Sequence, residues 1–160
     1  MKLAIVSVVK GFRLKQSIVE HLEKKSGIEL ADLGVHSTGK FAKYNEVARL
    51  AARALQHGEA DRAILICGTG MGMSIAANKF RAVRAACCES VCAAEMSRRV
   101  NDSNALTLGE TIVAAELACR MVDAWLETEF QDAPAVPEGI RDFWKEAVDD
   151  LDRLGSEVQP

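Results

Sequence analysis

The chain has 160 residues, of which 49% are apolar and 5% aromatic, a balance that favours one packed α/β domain over an aromatic-rich all-β fold. The 20 basic and 23 acidic side chains give a net charge of −3, and no dense basic patch indicates a nucleic-acid partner. No apolar run is long enough to span a bilayer, and the start is too short for a signal peptide, so we expect a soluble cytoplasmic protein without a membrane partner.

Apolar runs alternate with helical patterns along the first 126 residues. The first run, residues 3–9, is apolar apart from Ser7 and predicts a fully buried strand. Leu14, Ile18 and Leu22 then recur at helical spacing. The same reasoning predicts strands at 28–33, 63–66, 83–88 and 105–108, and helices around 47–55, 74–79, 91–99 and 112–126.

Five alternations of strand and helix predict an α/β fold, a three-layer sandwich in which helices cover both faces of a five-stranded parallel sheet. In such folds the ligand lies beyond the carboxyl ends of the strands, at a switch point in strand order. We therefore expect the chemistry at residues 8–11, 67–72, 89–90 and 109–110.

The tail has a different composition from the sheet-forming part. Pro134 and Pro137 mark residues 132–139 as a linker, so we place the main domain at 1–130 and a linker with an amphipathic helix at 131–160. The apolar stripe of this helix covers either its own domain or a partner subunit, and we expect the partner. The stripe consists of Ile140, Phe143, Trp144, Val148, Leu151 and Leu154.

The five cysteines are odd in number and lie in alanine-rich stretches, which suits a reducing compartment better than a disulfide framework. Cys87, Cys88 and Cys92 are close in sequence, but neither a histidine nor a second cysteine pair stands at zinc-site spacing. We predict no metal site and interpret these three as small buried residues.

The segment from Cys67 to Met73 carries the clearest chemical signal. Gly68, Gly70 and Gly72 alternate after a buried strand, so backbone N–H groups can turn toward one anion. The pattern is not a P-loop, since no Lys-Ser/Thr follows, and a dinucleotide fingerprint would need these glycines after the first strand. Cys67 at this position is either a thiolate that removes a proton from carbon or a small core residue.

The stretch Ile66-Cys67-Gly68-Thr69-Gly70-Met71-Gly72-Met73-Ser74-Ile75-Ala76-Ala77-Asn78-Lys79 resembles the signature of the ribose-5-phosphate isomerase B / galactose-6-phosphate isomerase family. Residues 32–34, 58–62, 101–104 and 129–130 fit as well, and the similarity runs from 2 to 130. The resemblance implies a Rossmann-like domain that forms a homodimer or tetramer, with each active site built from both subunits. It also implies aldose–ketose isomerisation of a small sugar phosphate through a cis-enediolate, without metal or organic cofactor.

Residue by residue, the resemblance makes Cys67 the general base and Thr69 the catalytic loop hydroxyl. Asn101 matches a substrate-binding amide and Tyr44 a loop tyrosine, although Asn101 can also cap a helix end and Tyr44 can simply pack. The predicted substrate-binding residues are Gly68, Gly70, Met71, Gly72, Asn101 and Tyr44.

The chain departs from the family pattern around the sugar ring. Val8-Val9 stands where the family has Asp-His, and Val100 stands where it has a ring-opening histidine. Three hypotheses follow: a tetrose 4-phosphate, which needs no ring opening; a hetero-oligomer in which this chain is the cysteine-bearing subunit; or a non-catalytic sugar-phosphate binding protein. Glu89 and Glu110 are either substitutes for the missing acid or plain surface residues, and we favour the surface.

The family's phosphate-binding arginines are also replaced, by Thr111 and by residues 132–139. Other cations would then hold the phosphate, although each of them is as readily explained as a solvated surface charge. The candidates are Lys10, Arg13, Lys40, Lys43 and Arg141.

Overall fold

Strands and helices alternate along the chain in the computed structural model, which describes residues 1–39 and 41–158. A short 3₁₀ turn, Val9–Gly11, follows the first strand. The elements are β1 Lys2–Ser7, α1 Phe12–Leu22, β2 Glu29–Asp32, α2 Tyr44–Gln56, β3 Arg62–Cys67, α3 Met71–Ala77, β4 Ala85–Cys87, α4 Val91–Arg99, β5 Ala105–Gly109, α5 Ala115–Glu127 and α6 Glu138–Val158.

The five strands form one parallel sheet in the order β2-β1-β3-β5-β4. This confirms the predicted Rossmann-like α/β architecture. The chain moves outward from β1 to β2 and then restarts at β3 on the other side of β1, so a switch point lies between β1 and β3. A crevice is expected beyond the carboxyl ends of these two strands, next to Ser7 and Cys67.

Two apolar clusters hold helices against the two faces of the sheet. Leucine and isoleucine side chains fill the face covered by α1 and α5, with Trp125 fully buried among them. Alanines dominate the other face, where Ala48, Ala51 and Ala52 of α2 are at most 1% exposed. Small side chains let a helix approach the sheet closely, and this places the start of α2 beside the end of β3.

Several element boundaries differ from the sequence prediction by a few residues, among them both ends of α3 and of β4, and two further cases show a physical cause. β1 ends at Ser7 because the chain turns after Val8, where the Gly11 N–H donates to the Val8 carbonyl at 3.0 Å, and the apolar run continues into the 3₁₀ turn. α5 begins only at Ala115, because the N–H groups of Ile112 and Val113 both donate to the Gly109 carbonyl at 3.0 Å and form a turn first. Apolarity predicted both segments, but it does not record where the backbone bends.

α6 touches the rest of the chain at few points. Asp152 accepts a hydrogen bond from Arg84 at 3.0 Å, and Ser156 accepts one from Arg81 at 2.9 Å. Val148 is buried, whereas Phe143 is 65% exposed and much of the apolar stripe faces outward. Docking on a partner subunit stays a prediction. Throughout residues 1–39 and 41–158, no helix is long and apolar enough to cross a membrane.

Candidate active site

A cavity of about 640 Å³ opens at the carboxyl ends of β1 and β3, where the switch point predicts a ligand. The start of α2 and the glycine loop after β3 form its walls. Its lining residues are Val8, Ala42, Lys43, Tyr44, Asn45, Cys67, Gly68, Thr69 and Gly72.

Cys67 is the last residue of β3 and belongs both to the apolar cluster under α2 and to the cavity wall. It is 7% exposed, so its sulfur is held in a fixed position yet is not sealed in the core. The N–H of Gly70 donates a hydrogen bond to Cys67 Sγ at 3.1 Å. A donor in this position stabilises negative charge on sulfur, as a thiolate base requires.

Gly70 gives the loop its shape. Its φ of +79° is left-handed, and an added Cβ would lie 3.0 Å from the Leu108 carbonyl carbon and 3.1 Å from Cys87 Sγ. Glycine alone satisfies both conditions. The first hydrogen bond of α3 runs from Ser74 N–H to the Gly70 carbonyl at 3.1 Å, so the amide of Gly72 precedes the helical ladder. The loop therefore offers main-chain donors beside the sulfur.

Tyr44 begins α2 and lies over the glycine loop. A Cβ added at Gly72 would be 3.1 Å from Tyr44 Cδ2, so the ring packs against this glycine. Tyr44 also lines the cavity and is 50% exposed. Asn45 lines the cavity as well; the sequence interpretation missed it, although its place directly after Tyr44 was a usable signal.

Asn101 does not line the same cavity as Cys67. It is exposed in the turn after α4 and lines a second cavity of about 560 Å³ together with Leu151 and Asp152 of α6. Val100, rather than Asn101, is the C-terminal cap of α4. Within one chain, the remaining predicted residues surround the glycine loop, but Asn101 lies apart from them.

The turn that carries Asn101 is held by a network of ion pairs. Asp102 adopts a left-handed φ of +47° and accepts hydrogen bonds from Arg84 and Arg98, each at 2.7 Å. Arg98 is 5% exposed and also donates to the Ser103 carbonyl at 2.7 Å. Charge-assisted bonds on both sides of Asp102 fix the backbone direction at Asn101.

The candidate phosphate-binding cations have different surroundings. Lys43 lines the cavity, and the Cγ of Lys10 would be 3.3 Å from a Cβ at Gly68. Arg13 is exposed at the start of α1, and Arg141 belongs to α6. Lys40 lies outside the described residues.

Glu110 is not the plain surface residue that the sequence interpretation favoured. Its Oε2 accepts hydrogen bonds from the backbone N–H groups of Arg13 at 3.1 Å and Leu14 at 3.2 Å, while Oε1 lies 3.8 Å from Lys10 Nζ. Its side chain is 19% exposed. Glu89, in contrast, is exposed.

The sequence interpretation expected all three clustered cysteines to be buried, and this is wrong for two of them. Cys87 and Cys92 are exposed, and only Cys88 is buried. Burial raises the pKa of the Cys88 thiol to about 11, which makes it a poor nucleophile near neutral pH. Across residues 1–39 and 41–158, no group of three or more His, Cys, Asp or Glu side chains is arranged to hold a metal ion.

Comparison with known proteins identifies the family of the chain. The ribose/galactose isomerase family profile matches residues 3–137. The chain is 48% identical over 132 residues to the 4-deoxy-4-sulfo-D-erythrose isomerase of Clostridium sp. (strain MSTE9), covering 82% of each chain. It is 46% identical over 121 residues to the ribose-5-phosphate isomerase B of Escherichia coli (strain K12), covering 76% of this chain and 80% of that one.

A solved structure matches this chain over nearly its full length. The ribose-5-phosphate isomerase B of Clostridium thermocellum superposes with a TM-score of 0.89 at 38% identity, covering 99% of this chain and 100% of that chain. This agreement includes α6 as well as the sheet.

Proposed function

Because the chain belongs to the ribose/galactose isomerase family, we propose that it isomerises a four-carbon sugar whose C4 carries an anionic group, interconverting the aldose and the ketose. The observation that supports this proposal most directly is the pairing of a cavity with a fixed sulfur. Cys67 lines the cavity at the end of β3, and the loop amide of Gly70 donates to its Sγ at 3.1 Å.

In the proposed mechanism, the Cys67 thiolate removes the proton from C2 of the aldose. The electron pair of the C2–H bond forms the C1–C2 double bond, and the carbonyl oxygen at C1 becomes the enediolate oxygen. Amides of the glycine loop stabilise that negative charge. The hydroxyl proton passes from O2 to O1, for which the Thr69 hydroxyl at the cavity wall is the proposed carrier. Cys67 then returns its proton to C1, which completes the ketose.

The four-carbon substrate follows from the chemistry of ring closure. A pentose or hexose phosphate is largely a cyclic hemiacetal, and its ring must open before C2 can lose a proton. No histidine is among the cavity residues of the described chain, and Val8 lies where an acid of the family stands. A tetrose whose O4 is esterified, or whose C4 carries sulfur, cannot close a five-membered ring, so this site suits it. The Clostridium sp. relative is named for such a sugar.

We further propose that Asn101 acts in the active site of a partner subunit. It is exposed, held by the Asp102 ion pairs, and lies apart from the Cys67 cavity of its own chain. The outward apolar stripe of α6 borders the same cavity as Asn101. A homodimer would cover this stripe and bring Asn101 to the second site.

The substrate proposal is tested by incubating the purified chain with D-erythrose 4-phosphate, 4-deoxy-4-sulfo-D-erythrose, D-ribose 5-phosphate and D-galactose 6-phosphate. We expect turnover of the four-carbon sugars and little with the larger ones. Turnover only of a pentose or hexose phosphate would overturn the four-carbon assignment. Activity that appears only with a second homologous chain would assign the chain to a hetero-oligomer, and binding without turnover would contradict catalysis.

The shared site is tested by refolding two inactive variants, Cys67→Ala and Asn101→Ala, together in equal amounts and measuring the activity of the mixture. In a homodimer with shared sites, half of the subunit pairs are hybrids, and each hybrid holds one site with both residues intact. We expect about a quarter of the wild-type activity to return. If mass spectrometry detects the hybrid dimer but the mixture regains no activity, the shared site is contradicted.

A further inference from the structure

Glu110 lies at the point where β5 meets the glycine loop. Its backbone N–H donates to the Cys67 carbonyl at 2.9 Å, and the next N–H, of Thr111, donates to the Gly68 carbonyl at 2.9 Å. Glu110 is therefore joined through the main chain to the residue that carries the proposed base. A change of charge at Glu110 therefore acts beside the glycine loop that lines the Cys67 cavity.

The carboxylate of Glu110 occupies a position that would otherwise attract an anion. The first amides of α1, an 11-residue helix, point out of its N-terminus, and two of them donate to Glu110 Oε2 at 3.1 and 3.2 Å. Lys10 adds an ion pair at 3.8 Å to the other oxygen. The favourable field of the helix start is thus already used by an internal carboxylate, whereas the pair with Lys10, whose side chain is 66% exposed, is weak.

Among the described residues, charges of both signs occur on or beside the glycine-loop wall of the cavity. Lys43 lines the cavity, Lys10 lies against Gly68, and Glu110 pairs with Lys10. A phosphate ester carries about −1.5 to −2 at pH 7, whereas a sulfonate carries a single negative charge at every pH near neutral. The negative charge of Glu110 lowers the positive potential at this wall, and the resulting loss of attraction is larger for a doubly charged phosphate than for a singly charged sulfonate.

We propose that Glu110 is a specificity-determining residue that shifts the preference of the site toward a four-carbon sugar with a C4 sulfonate and away from the corresponding phosphate ester. The inference rests on the proposed function, because it assumes that the Cys67 cavity isomerises such a sugar. Glu110 acts through its charge and does not take part in the proton transfer.

The test compares kcat/KM for 4-deoxy-4-sulfo-D-erythrose and D-erythrose 4-phosphate in wild type and Glu110→Gln. Glutamine keeps an acceptor oxygen for the α1 amides and removes the charge. We expect Glu110→Gln to shift the ratio toward the phosphate on the order of tenfold relative to the wild type, mainly through KM. Lys10→Met removes the paired cation and should shift the ratio the other way.

Controls separate charge from structure. Glu20→Gln makes the same change of net charge at an exposed position of α1 and should leave the ratio unchanged. If Glu110 only caps α1, Glu110→Gln will lower both kcat/KM values alike, and the inference is overturned. If the variant loses turnover, titration of Cys67→Ala and Cys67→Ala/Glu110→Gln with both sugars gives the same ratio from Kd values, and an unshifted Kd ratio overturns it as well. Wild-type turnover of neither sugar refutes the proposed function itself.

Discussion

Replacing Gly70 by alanine perturbs the glycine loop at its most constrained point. The substitution has two costs: the left-handed φ of +79° and contacts at 3.0 Å with Leu108 and 3.1 Å with Cys87. The conformational cost is roughly 1–2 kcal/mol, and forcing a methyl group into packed surroundings adds roughly 1–3 kcal/mol. We therefore expect Gly70→Ala to lose about 2–5 kcal/mol of unfolding free energy.

Gly58 offers a matched control for this substitution. It has a similar φ of +68°, but nothing lies within 4 Å of an added Cβ, so Gly58→Ala carries only the conformational cost of about 1–2 kcal/mol. Urea unfolding at one fixed protein concentration measures both variants, and their difference isolates the steric contribution of the loop.

The catalytic consequence of Gly70→Ala is expected to exceed its effect on stability. Movement of the Gly70 amide breaks its 3.1 Å hydrogen bond to Cys67 Sγ and shifts the neighbouring donors. A displacement near 1 Å in a reacting site costs on the order of 10²-fold in rate. Gly58→Ala should keep its kcat. If Gly70→Ala retained wild-type kcat and unfolded with the same free energy as Gly58→Ala, our account of the loop would be wrong.

Two further predictions concern stability and thiol chemistry. Lys15→Ala should lower the free energy of unfolding by about 2–4 kcal/mol, because Lys15 is 1% exposed and its ammonium donates to Asp32 at 2.7 Å. Urea unfolding measures this loss, and Lys24→Ala, at an exposed position, should be nearly neutral. Iodoacetamide at pH 8 should modify exposed Cys92 in the native protein and spare Cys88, whose pKa of about 11 keeps it a thiol at that pH; peptide mapping that found Cys88 modified first would contradict the packing described here.

The sequence predicted the features of the fold that depend on local pattern. A buried parallel strand is a continuous apolar run, so β3 and its glycine loop could be located from neighbouring residues alone. The end of β1 was misplaced because Val8 and Val9 are apolar in either conformation, so their pattern does not show that a backbone hydrogen bond from Gly11 to Val8 closes a turn there. An apolar sequence pattern predicts that a segment is buried, but it does not predict where the buried chain changes direction.

Part of the candidate site could likewise be predicted from the sequence, and part could not. Cys67, Thr69 and Tyr44 were all identified from the sequence, and all three line one cavity. The environment of Glu110 was not predictable, because its partner Arg13 is separated from it by 97 positions and no periodicity relates them. The separate location of Asn101, in a cavity shared with Leu151 and Asp152 of α6, likewise depends on residues far apart in sequence, which only the three-dimensional arrangement brings together.

The proton transfer assigned to Cys67 can be observed directly by NMR of the sugar during turnover in D₂O. We predict that the wild type incorporates deuterium at the carbons that exchange the proton. A Cys67→Ala variant with an unchanged circular dichroism spectrum should neither isomerise the sugar nor exchange its C2 proton. Deuterium exchange by Cys67→Ala at a rate near that of the wild type would show that another group removes the proton.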